Sequence, residues 1–360
     1  MIQIYDSKNK NYDYNGDMIL KPSKCVVTRK LQIDNQNLVY ELELVHNIDK
    51  EGRSRYIKGE DVIRAPTPSG TQLFRILNIE KNSKTITAYA KHIFFDTEDN
   101  IIKASTKNDY TDEGLKNALD KALEGTDFKH NITTGYFNSD CELMSTKKML
   151  LDTDYDDNIA DIYEIDIDNF NINLYKKNDY GIGIGSDNGC RADFGYDLKD
   201  IKEIVDYSNM CTRIIASTYD DGDVLNYVSV DSKNINNYSK IYEKNIEFKY
   251  NYTDPNDWLD INKDLRHDAN LYFKKNKVDV PTVNYTIDLS NLRKTTLFKK
   301  YKQLDNLQIG DIVHCRNVKH NITTDSRLIS YEYDSISKKY TLQELGDYIP
   351  NFLQLMSKGR

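Results

Sequence analysis

Several features of familiar protein classes are scarce or absent in this sequence of 360 residues. Proline occurs six times and tryptophan once. No run of apolar residues approaches the ~18 that a membrane-spanning helix needs. The first residues, Met1–Asp6, are typical of a strand and lack the basic start and apolar core of a signal peptide. We therefore expect no membrane anchor on this chain and synthesis in the cytoplasm.

Cysteine is also too scattered for a disulfide framework or a zinc site. The five cysteines are odd in number and include no C-x-x-C pair. Disulfide-rich folds and zinc sites use paired, closely spaced cysteines, so both are unexpected and a reducing compartment fits. The positions are Cys25, Cys141, Cys190, Cys211 and Cys315.

Basic residues are outnumbered by acidic ones, 49 to 57, which gives a formal net charge of −8. A protein that holds nucleic acid by neutralising phosphates has the opposite balance. We expect no specific nucleic-acid binding, although DNA could still slide past such a surface. The hydrophobic content of 39% is low, but 27 tyrosines supply amphipathic bulk that favours strands.

Residues 1–95 have the patterns of strands and turns. Leu38–Val45 alternates apolar with acidic residues, as expected of a strand with one face in solvent. Ala65–Gly70 contains two prolines and a glycine and predicts a loop. The predicted strands are Met1–Tyr5, Cys25–Arg29, Leu38–Val45, Gln72–Glu80 and Thr85–Ala90.

Residues 96–200 mix helix and strand patterns and predict an α/β insert. Thr111 is the expected cap of a helix that ends at Gly125, with one face formed by Leu115, Ala118, Leu119 and Ala122. A short amphipathic segment at 158–163 leads into strands at Glu164–Asp168 and Asn171–Tyr175.

Strand patterns return in 201–250 and 283–347, around a helical insert at 251–282. Asp254 and Pro255 are typical of a helix start. The predicted strands are Asp200–Ser217, Val224–Val230 and Val283–Leu289, and the helix face comprises Trp258, Ile261, Leu265, Ala269 and Tyr272.

A C-terminal cassette of three strands completes the pattern. Leu307–Val313 opens the first strand around a Gly-Asp turn, and Arg327–Tyr333 and Tyr340–Leu345 follow, closed by Gly346. In the second strand Ile329, Tyr331 and Tyr333 alternate with Leu328, Ser330 and Glu332, which indicates two different faces. The chain is thus predicted to be α+β and mostly β. Its two β-rich domains carry an α/β insert, a small helical insert and a tail at 348–360, and the first domain could recruit strands from about 200–230.

Two loops resemble ligand-binding motifs, but each lacks a required feature. Asp152–Asp156 begins like a calcium loop, yet Asp157 replaces the turn glycine and Tyr163 replaces the bidentate glutamate. A solvated acidic helix start is favoured there. Gly181-x-Gly183-x-Gly185 lacks the G-x-G-x-x-G spacing and a following helix, which favours a loop between strands over a phosphate cradle. Tyr219–Asp223 predicts a hairpin turn.

No catalytic or metal-binding constellation is predicted. The histidines, His46, His92, His130, His267, His314 and His320, include no H-E-x-x-H pair, and no G-x-S-x-G is present. His314 and Cys315 are neighbours whose side chains should point to opposite faces of a strand. Asp166 and Asp168 share a strand face, as a catalytic pair of carboxylates could. With 57 acidic residues in the chain, this spacing is weak evidence for such a pair. Trp258 favours a core anchor over carbohydrate stacking.

Four strings nevertheless resemble one known family when they are taken in order. They are Thr87–Asp96, with its Ala-x-His end and aromatic-Asp pair; Tyr180–Ile201, with its glycine loop and Phe-Gly-Tyr-Asp-Leu-Lys-Asp-Ile; Cys211–Arg213; and the C-terminal cassette. This order resembles the phage tail hub proteins of the prophage endopeptidase tail family, also called the phage minor structural protein N-terminal region. His92 and Asp96 lie in the first string, and we expect a structural role for them at a strand end.

The resemblance implies a baseplate hub in the virion tail, made in the cytoplasm of a bacterial host. Such hubs are homotrimers with two tube-type, barrel-like domains per subunit, so that three chains continue the six-fold tail tube as a pseudo-sixfold ring. Ring closure would also cover sheet edges. The implied partners are a tail tube or distal tail protein, a tail spike or tip protein, a tape-measure protein and other baseplate proteins, around a channel for DNA or tape measure. No cofactor or metal is implied.

Two other functions stay open at this stage. The family's name suggests a peptidoglycan hydrolase, a tail-associated endopeptidase, but longer members carry their enzymatic or fibre domain after the cassette, and this chain ends at Arg360. A glycan receptor-binding module is the third alternative. We also expect that a separate spike or lysin could dock at Asn351–Arg360, and deleting that segment without losing any partner would exclude it.

Overall fold

The computed structural model describes residues 1–32, 38–106, 111–152, 158–178, 181–194, 201–220, 223–250, 261–288, 293–294, 296, 298–317 and 322–346. Strands far outnumber helices in these ranges, which confirms the prediction of an α+β, mostly β chain. Two compact units are present, one comprising Met1–Glu203 and Asn284–Asp347 and the other containing Ile204–Val283. In the described part of the chain, each helix is too short or too polar to cross a membrane.

The first unit is built around one large sheet. Its N-terminal strands are β1 (Ile2–Tyr5), β2 (Met18–Leu20), β3 (Lys24–Lys30), β4 (Val39–Asn47), β5 (Val62–Thr67), β6 (Gly70–Lys81) and β7 (Thr85–His92). Alternate residues of β4, Tyr40, Leu42 and Leu44, are buried, as the alternating pattern predicts. Turns of 3-10 helix span Arg53–Tyr56 and Ile93–Glu98.

One predicted loop in this region is wrong. Ala65 and Pro66 lie in β5, and the turn is confined to Pro68 and Ser69 before β6 begins at Gly70. The strand tolerates Pro66 because β1 pairs only with Val62, Ile63 and Arg64, which leaves the later residues unpaired on that side.

The rest of the first unit supplies an insert and the C-terminal strands. The insert contains α1 (Gly114–Ala122), β8 (Lys129–His130), α2 (Thr146–Leu151), α3 (Ile159–Ile162), β9 (Tyr163–Asp168) and β10 (Asn171–Lys176). Then come β11 (Asp187–Phe194), α5 (Phe298–Tyr301), β17 (Ile312–Asn317), β18 (Ile322–Asp334) and β19 (Lys339–Gly346), with a 3-10 turn at Lys302–Asn306. Two further strands, β12 (Ile201–Asp206) and β16 (Thr282–Asp288), lie partly in this unit and partly in the second.

The central strand of the cassette joins the N-terminal strands. β18 pairs antiparallel with β3, with Tyr331 opposite Arg29, so the path β16-β19-β18-β3-β4-β7-β6-β5-β1-β2 is continuous. β17 branches from β18 and pairs parallel with β11. No closed barrel is formed by the described strands of this path. The division into two tube-type domains with inserts stays a prediction.

The strict alternation predicted for Arg327–Tyr333 is wrong. The pairing of β18 with β19 shifts between Leu328 and Ser330 and again between Glu332 and Tyr333. These irregularities bury Leu328, Ser330, Tyr331 and Tyr333 together.

The insert packs its apolar faces into the same core as the large sheet. The face of α1 predicted from the sequence is buried: Leu115, Ala118, Leu119 and Ala122. The predicted cap is wrong, because the helix begins after Glu113, and the Thr111 hydroxyl instead accepts a hydrogen bond from the Glu113 N–H at 3.3 Å. The sheet β8-β10-β9 adds Ile165 and Ile167 to this core.

The second unit is a small sheet covered by one helix. β13 (Arg213–Asp220) lies between β14 (Asp223–Asp231) and β15 (Glu243–Glu247), and a 3-10 turn spans Ile235–Asn237. The helix α4 (Ile261–Asn276) packs Leu265 and Ala269 against the sheet. The predicted start of this helix at Asp254 and Pro255, together with Trp258, lies outside the described residues.

Candidate functional site

Three acidic side chains share one face of β9. Glu164, Asp166 and Asp168 alternate with Ile165 and Ile167, which belong to the core on the opposite face. Each of the three binds a side chain of the large sheet, and we call this set of contacts the acidic seam. The sequence pointed to Asp166 and Asp168 only as members of an abundant residue type, and it did not single out Glu164.

The first contact of the acidic seam is a buried ion pair between Glu164 and Arg327 of β18. Both guanidinium Nη atoms donate to the carboxylate, at 3.0 and 2.9 Å, with side chains only 9% and 11% exposed. Arg327 also donates to the carbonyl oxygens of Ile184 and Gly310, at 2.8 and 3.2 Å. A two-pronged pair with further bonds to backbone carbonyls is the geometry in which arginine tolerates burial.

The glycine loop completes this contact. The backbone N–H groups of Gly183 and Ile184 donate to Glu164 Oε2, at 2.9 and 2.7 Å. A Cβ on Gly183 would lie 2.4 Å from the Tyr175 carbonyl oxygen, and one on Gly185 would lie 2.1 Å from the Gly310 backbone. The glycines therefore allow backbone segments to meet, and the anion that the loop holds is a carboxylate of its own chain.

The second contact joins Asp166 to Arg29 of β3. The Arg29 side chain is fully buried, donates to Asp166 Oδ1 and lies over the Tyr40 ring at 4.7 Å. Burial lowers the pKa of Arg29, but the neighbouring Tyr40, Tyr331 and Asp166 raise it by more, so its net pKa is raised and the charge is retained. A charged arginine beneath the insert is thus held by one carboxylate and one aromatic face.

The third contact runs from Asp168 through Gln72 to His92. Gln72 Nε2 donates to Asp168 Oδ1 at 2.8 Å, and its Oε1 lies 2.9 Å from both His92 Nε2 and the backbone N–H of Asn169. His92 Nδ1 accepts from the Phe94 N–H at 3.1 Å and caps the 3-10 turn that follows β7. The hydrogen bonds therefore assign the proton of a neutral ring to Nε2.

Burial fixes His92 in that neutral state. The ring is fully buried and stacks on Tyr40 at 4.6 Å between centroids. Burial, followed by the nearby charge of Arg29, lowers the pKa of His92 well below its usual value. Asp96 is held by Arg75 at 2.7 Å. His92 caps the 3-10 turn at the end of β7, and Asp96 lies within that turn.

The sequence analysis also considered the neighbours His314 and Cys315, and their side chains differ in burial. Cys315 is fully buried, whereas His314 is partly exposed and hydrogen-bonded to Asp187 and Asp325. Burial raises the pKa of the Cys25 thiol to about 12 and also raises the pKa values of Cys190 and Cys211. All five cysteines are buried and none forms a disulfide.

The remaining sequence candidates do not converge on a site. Residues 153–157 of the calcium-like loop, residues 221–222 of the predicted hairpin turn and His320 lie outside the described residues. Among the residues that the structure does describe, no group of three or more His, Cys, Asp or Glu is arranged to hold a metal ion.

One pocket has an acidic lining. It is lined by Ile4, Tyr5, Asp6, Asp17, Tyr56, Lys58 and Asp61. Two of its carboxylates bind the adjacent backbone: Asp17 accepts from the Asp6 N–H at 2.7 Å, and Asp61 accepts from the Ser7 N–H at 3.0 Å. These bonds shape the turn after β1.

A family model supports the resemblance drawn from the sequence. Residues 187–356 match the model of the prophage endopeptidase tail family. The matched segment contains β11, the second unit and the C-terminal cassette, and it confirms the predicted resemblance. No curated protein matches the chain.

Solved structures of tail proteins share the fold. The prophage tail protein gp18 of Listeria monocytogenes superposes with a TM-score of 0.61 at 13% identity, over 99% of this chain and 97% of that one. The 43 kDa tail protein of prophage MuSo2 from Shewanella oneidensis gives a TM-score of 0.53 at 11% identity, over 91% and 94%. The tail protein of Neisseria meningitidis gives 0.50 at 10% identity, over 90% and 92%. At such low identities these likenesses establish the fold alone.

Proposed function

From the match of residues 187–356 to the prophage endopeptidase tail family, we propose that this chain is the baseplate hub of a phage tail or tail-like particle. As a homotrimer, it joins the six-fold tail tube, directly or through a distal tail protein, to a three-fold tip or spike. It leaves a channel through which DNA or the tape-measure protein passes. The site of action is the virion tail.

The coverage of the shared fold adds support to this proposal. The likeness to the Listeria prophage tail protein spans 99% of this chain and 97% of that one, so neither chain has a large part that the other lacks. A structural role is also consistent with the acidic seam, where the charged groups are engaged in fixing the insert to the large sheet. A scaffold needs rigid connections between its parts, and buried paired charges supply them.

The alternative of a peptidoglycan hydrolase arises from the family's printed description, which names an endopeptidase tail. His92 and Cys25 do not favour it. The His92 ring is buried with both nitrogens hydrogen-bonded, and burial raises the pKa of the Cys25 thiol to about 12, whereas a cysteine nucleophile needs a lowered one. Purified chain should therefore leave a cell-wall gel unchanged, and a cleared zone would overturn the non-enzymatic part of the proposal.

Oligomeric state tests the hub directly. We expect mass photometry to show a species of three times 41.9 kDa, alone or after co-expression with the tail-tube or distal tail protein of the same particle. Assembly can require neighbours, so the co-expressed sample decides. A chain that stays monomeric, or forms dimers only, in the presence of those partners would overturn the trimeric hub.

The channel has its own test. We expect electron cryomicroscopy of the assembled ring to show an acidic or neutral bore, because phosphates would adhere to a basic one. A bore lined by lysine and arginine would contradict passage by repulsion while leaving the trimer itself intact.

A further inference from the structure

His314 occupies the middle of a three-strand arrangement in the first unit. It lies in β17, with β11 on one side and β18 on the other. Its Nδ1 is 2.7 Å from Asp325 Oδ1 of β18, and its Nε2 is 3.0 Å from Asp187 Oδ1 of β11. One imidazole ring therefore connects the two neighbouring strands by its two opposite nitrogens.

Two carboxylates on one imidazole specify its protonation state. A neutral ring donates from one nitrogen only, whereas both nitrogens of the imidazolium donate. An ionised carboxylate has acceptors only, so both hydrogen bonds exist together when His314 is protonated. His92 differs, since its Nδ1 accepts from a backbone N–H, and His130 has a single carboxylate partner, Asp120, at 3.0 Å.

A β-bulge places Asp187 in this position. The register between β11 and β17 shifts between Asp187 and Cys190, while Arg191 is the direct neighbour of His314. Gly189 adopts a left-handed φ of 67°, and its N–H donates to Asp187 Oδ1 at 2.9 Å. The extra residues bring an aspartate from the start of β11 to a histidine that regular pairing would leave beside an arginine.

The other charged groups on this face are accounted for. Arg191 and Asp193 lie on β11 and Arg316 lies on β17, all exposed at alternate positions. On β18, Arg327 is on the same face, but its charge is paired with Glu164 at 2.9 Å. The contacts of His314 itself are therefore with Asp187 and Asp325, the two groups within hydrogen-bond distance.

We propose that His314 is a protonation-dependent latch that holds the bulged start of β11 to the β17–β18 pair. The protonated ring holds both aspartates. A neutral ring keeps the shorter bond to Asp325 and turns a lone pair toward Asp187, which then retains only the Gly189 N–H. The expected result of deprotonation is local opening at Ser186–Cys190, independent of whether the chain is a tail hub.

The direction of the pH effect follows from the electrostatics. The hydrogen bond to Asp325, with smaller contributions from Asp187, raises the pKa of His314 above 6.5. A raised pKa in the folded state contributes stability that is complete below the unfolded value and is lost as the pH rises through the folded value. The pKa of Asp187 is lowered, first by the Gly189 N–H, so its contribution is lost as the pH falls below its usual range. The latch is thus closed below the ordinary histidine pKa of 6.5 and opens as the pH rises through the raised pKa of His314.

The test uses the full chain with 13C-labelled histidine and amide hydrogen exchange from pH 6 to pH 9. We expect His314 to titrate above 6.5 and its pKa to fall in Asp325→Asn. Exchange at Ser186–Cys190, corrected for the intrinsic pH dependence, should rise as the ring deprotonates. In His314→Gln this pH dependence should disappear, and in the control His130→Gln it should persist.

The wild-type measurement keeps the proposal falsifiable even if a variant does not fold. A His314 pKa at or below 6.5 would overturn the latch. So would corrected exchange at Ser186–Cys190 that does not change across the titration. Equal pH dependence in wild type and His314→Gln would assign the opening to another group.

Discussion

The chain contains two arginine–carboxylate pairs of the same chemistry in different surroundings. Arg327 and Glu164 meet in the first unit with side chains 11% and 9% exposed. Arg213 and Asp231 meet across β13 and β14 of the second unit, where their side chains are 28% and 46% exposed. Both use two guanidinium nitrogens, with distances of 2.5 to 3.0 Å. Arg327 donates through Nη1 and Nη2, whereas Arg213 donates through Nε and Nη2 and also lies 3.7 Å from Glu243. The comparison therefore contrasts burial in two pairs of similar chemistry and somewhat different geometry.

The two pairs differ more in the cost of removing one partner than in the stability that the intact pair contributes. In a buried pair, loss of one partner leaves the other charge without solvent, which costs much more than the pair contributes. An exposed pair is rehydrated when it is broken and contributes little. The packing of the insert therefore depends on the specific contact between Arg327 and Glu164. The Arg213–Asp231 pair adds little to a sheet that is already stabilised by its apolar core.

The largest effect is expected from breaking the buried pair. Arg327→Met should lower the free energy of unfolding by about 3–5 kcal/mol, because Glu164 stays buried with only the Gly183 and Ile184 N–H groups. Urea titration followed by circular dichroism measures this change. The matched variant Arg213→Met should leave stability nearly unchanged.

A second variant decides whether the loss comes from the stranded charge. Combining Arg327→Met with Glu164→Leu should recover most of the lost stability, since apolar replacements of buried ion pairs are often neutral. If the double variant is no more stable than Arg327→Met alone, the damage lies in packing and the proposed contrast with Arg213 fails.

The next effect is expected at the glycine loop that supports the buried pair. Gly185→Ala should destabilise by about 2–3 kcal/mol, because its Cβ would lie 2.1 Å from the Gly310 backbone and its φ is 91°. Gly181→Ala is the control: its φ of 75° is also left-handed, but no atom lies within 4 Å of the added Cβ. Equal losses in thermal unfolding would mean that backbone conformation alone, and not close approach, explains the glycines.

Sequence patterns predicted the local part of this arrangement. Strand patterns located β3, β4, β6, β7, β9 and β10 to within a few residues, and helical spacing identified the buried face of α1. The glycine spacing indicated a loop. These features are visible because they repeat every two to four residues along the chain.

The contacts that define the acidic seam carry no such signal. Glu164 and Arg327 are 163 positions apart, and no sequence pattern near either residue predicts its partner. The pairing of β18 with β3 is equally non-local, since alternation fixes the face of a strand and not its neighbour. The bulges in β11 and β18 also depend on pairing, so neither the position of Asp187 beside His314 nor the burial of Ser330 could be predicted.

A smaller effect is expected at His92, which links the acidic seam to the strand end. His92→Ala should destabilise by about 1–2 kcal/mol, because it removes the cap of the 3-10 turn and the hydrogen bond to Gln72. His130→Ala removes the bond to Asp120, whose side chain is 54% exposed, and the acceptor of the Ile132 N–H at 3.2 Å. It should cost less, because water can replace the bond to the exposed carboxylate. The loss should shrink as the pH falls below 6.5, because the ring binds a proton in the unfolded chain but stays neutral in the folded one. A loss that grows with acidity would show that His92 carries a proton in the folded chain.

The smallest expected effect is a change in the contribution of the exposed arginine pair to stability when acid or salt is added. The hydrogen bond from Arg213 lowers the pKa of Asp231, so this contribution is present above the unfolded value of 3.8 and is lost as the pH falls through the lower folded value. Salt should weaken the same contribution, because exposed charges are screened over a Debye length of about 8 Å at physiological ionic strength. A double-mutant cycle on Arg213 and Asp231 should thus give a coupling that shrinks at 1 M salt, whereas the Arg327–Glu164 coupling should persist. If both couplings fell equally with salt, water would reach the buried pair, and the contrast between the two units would rest on packing instead of desolvation.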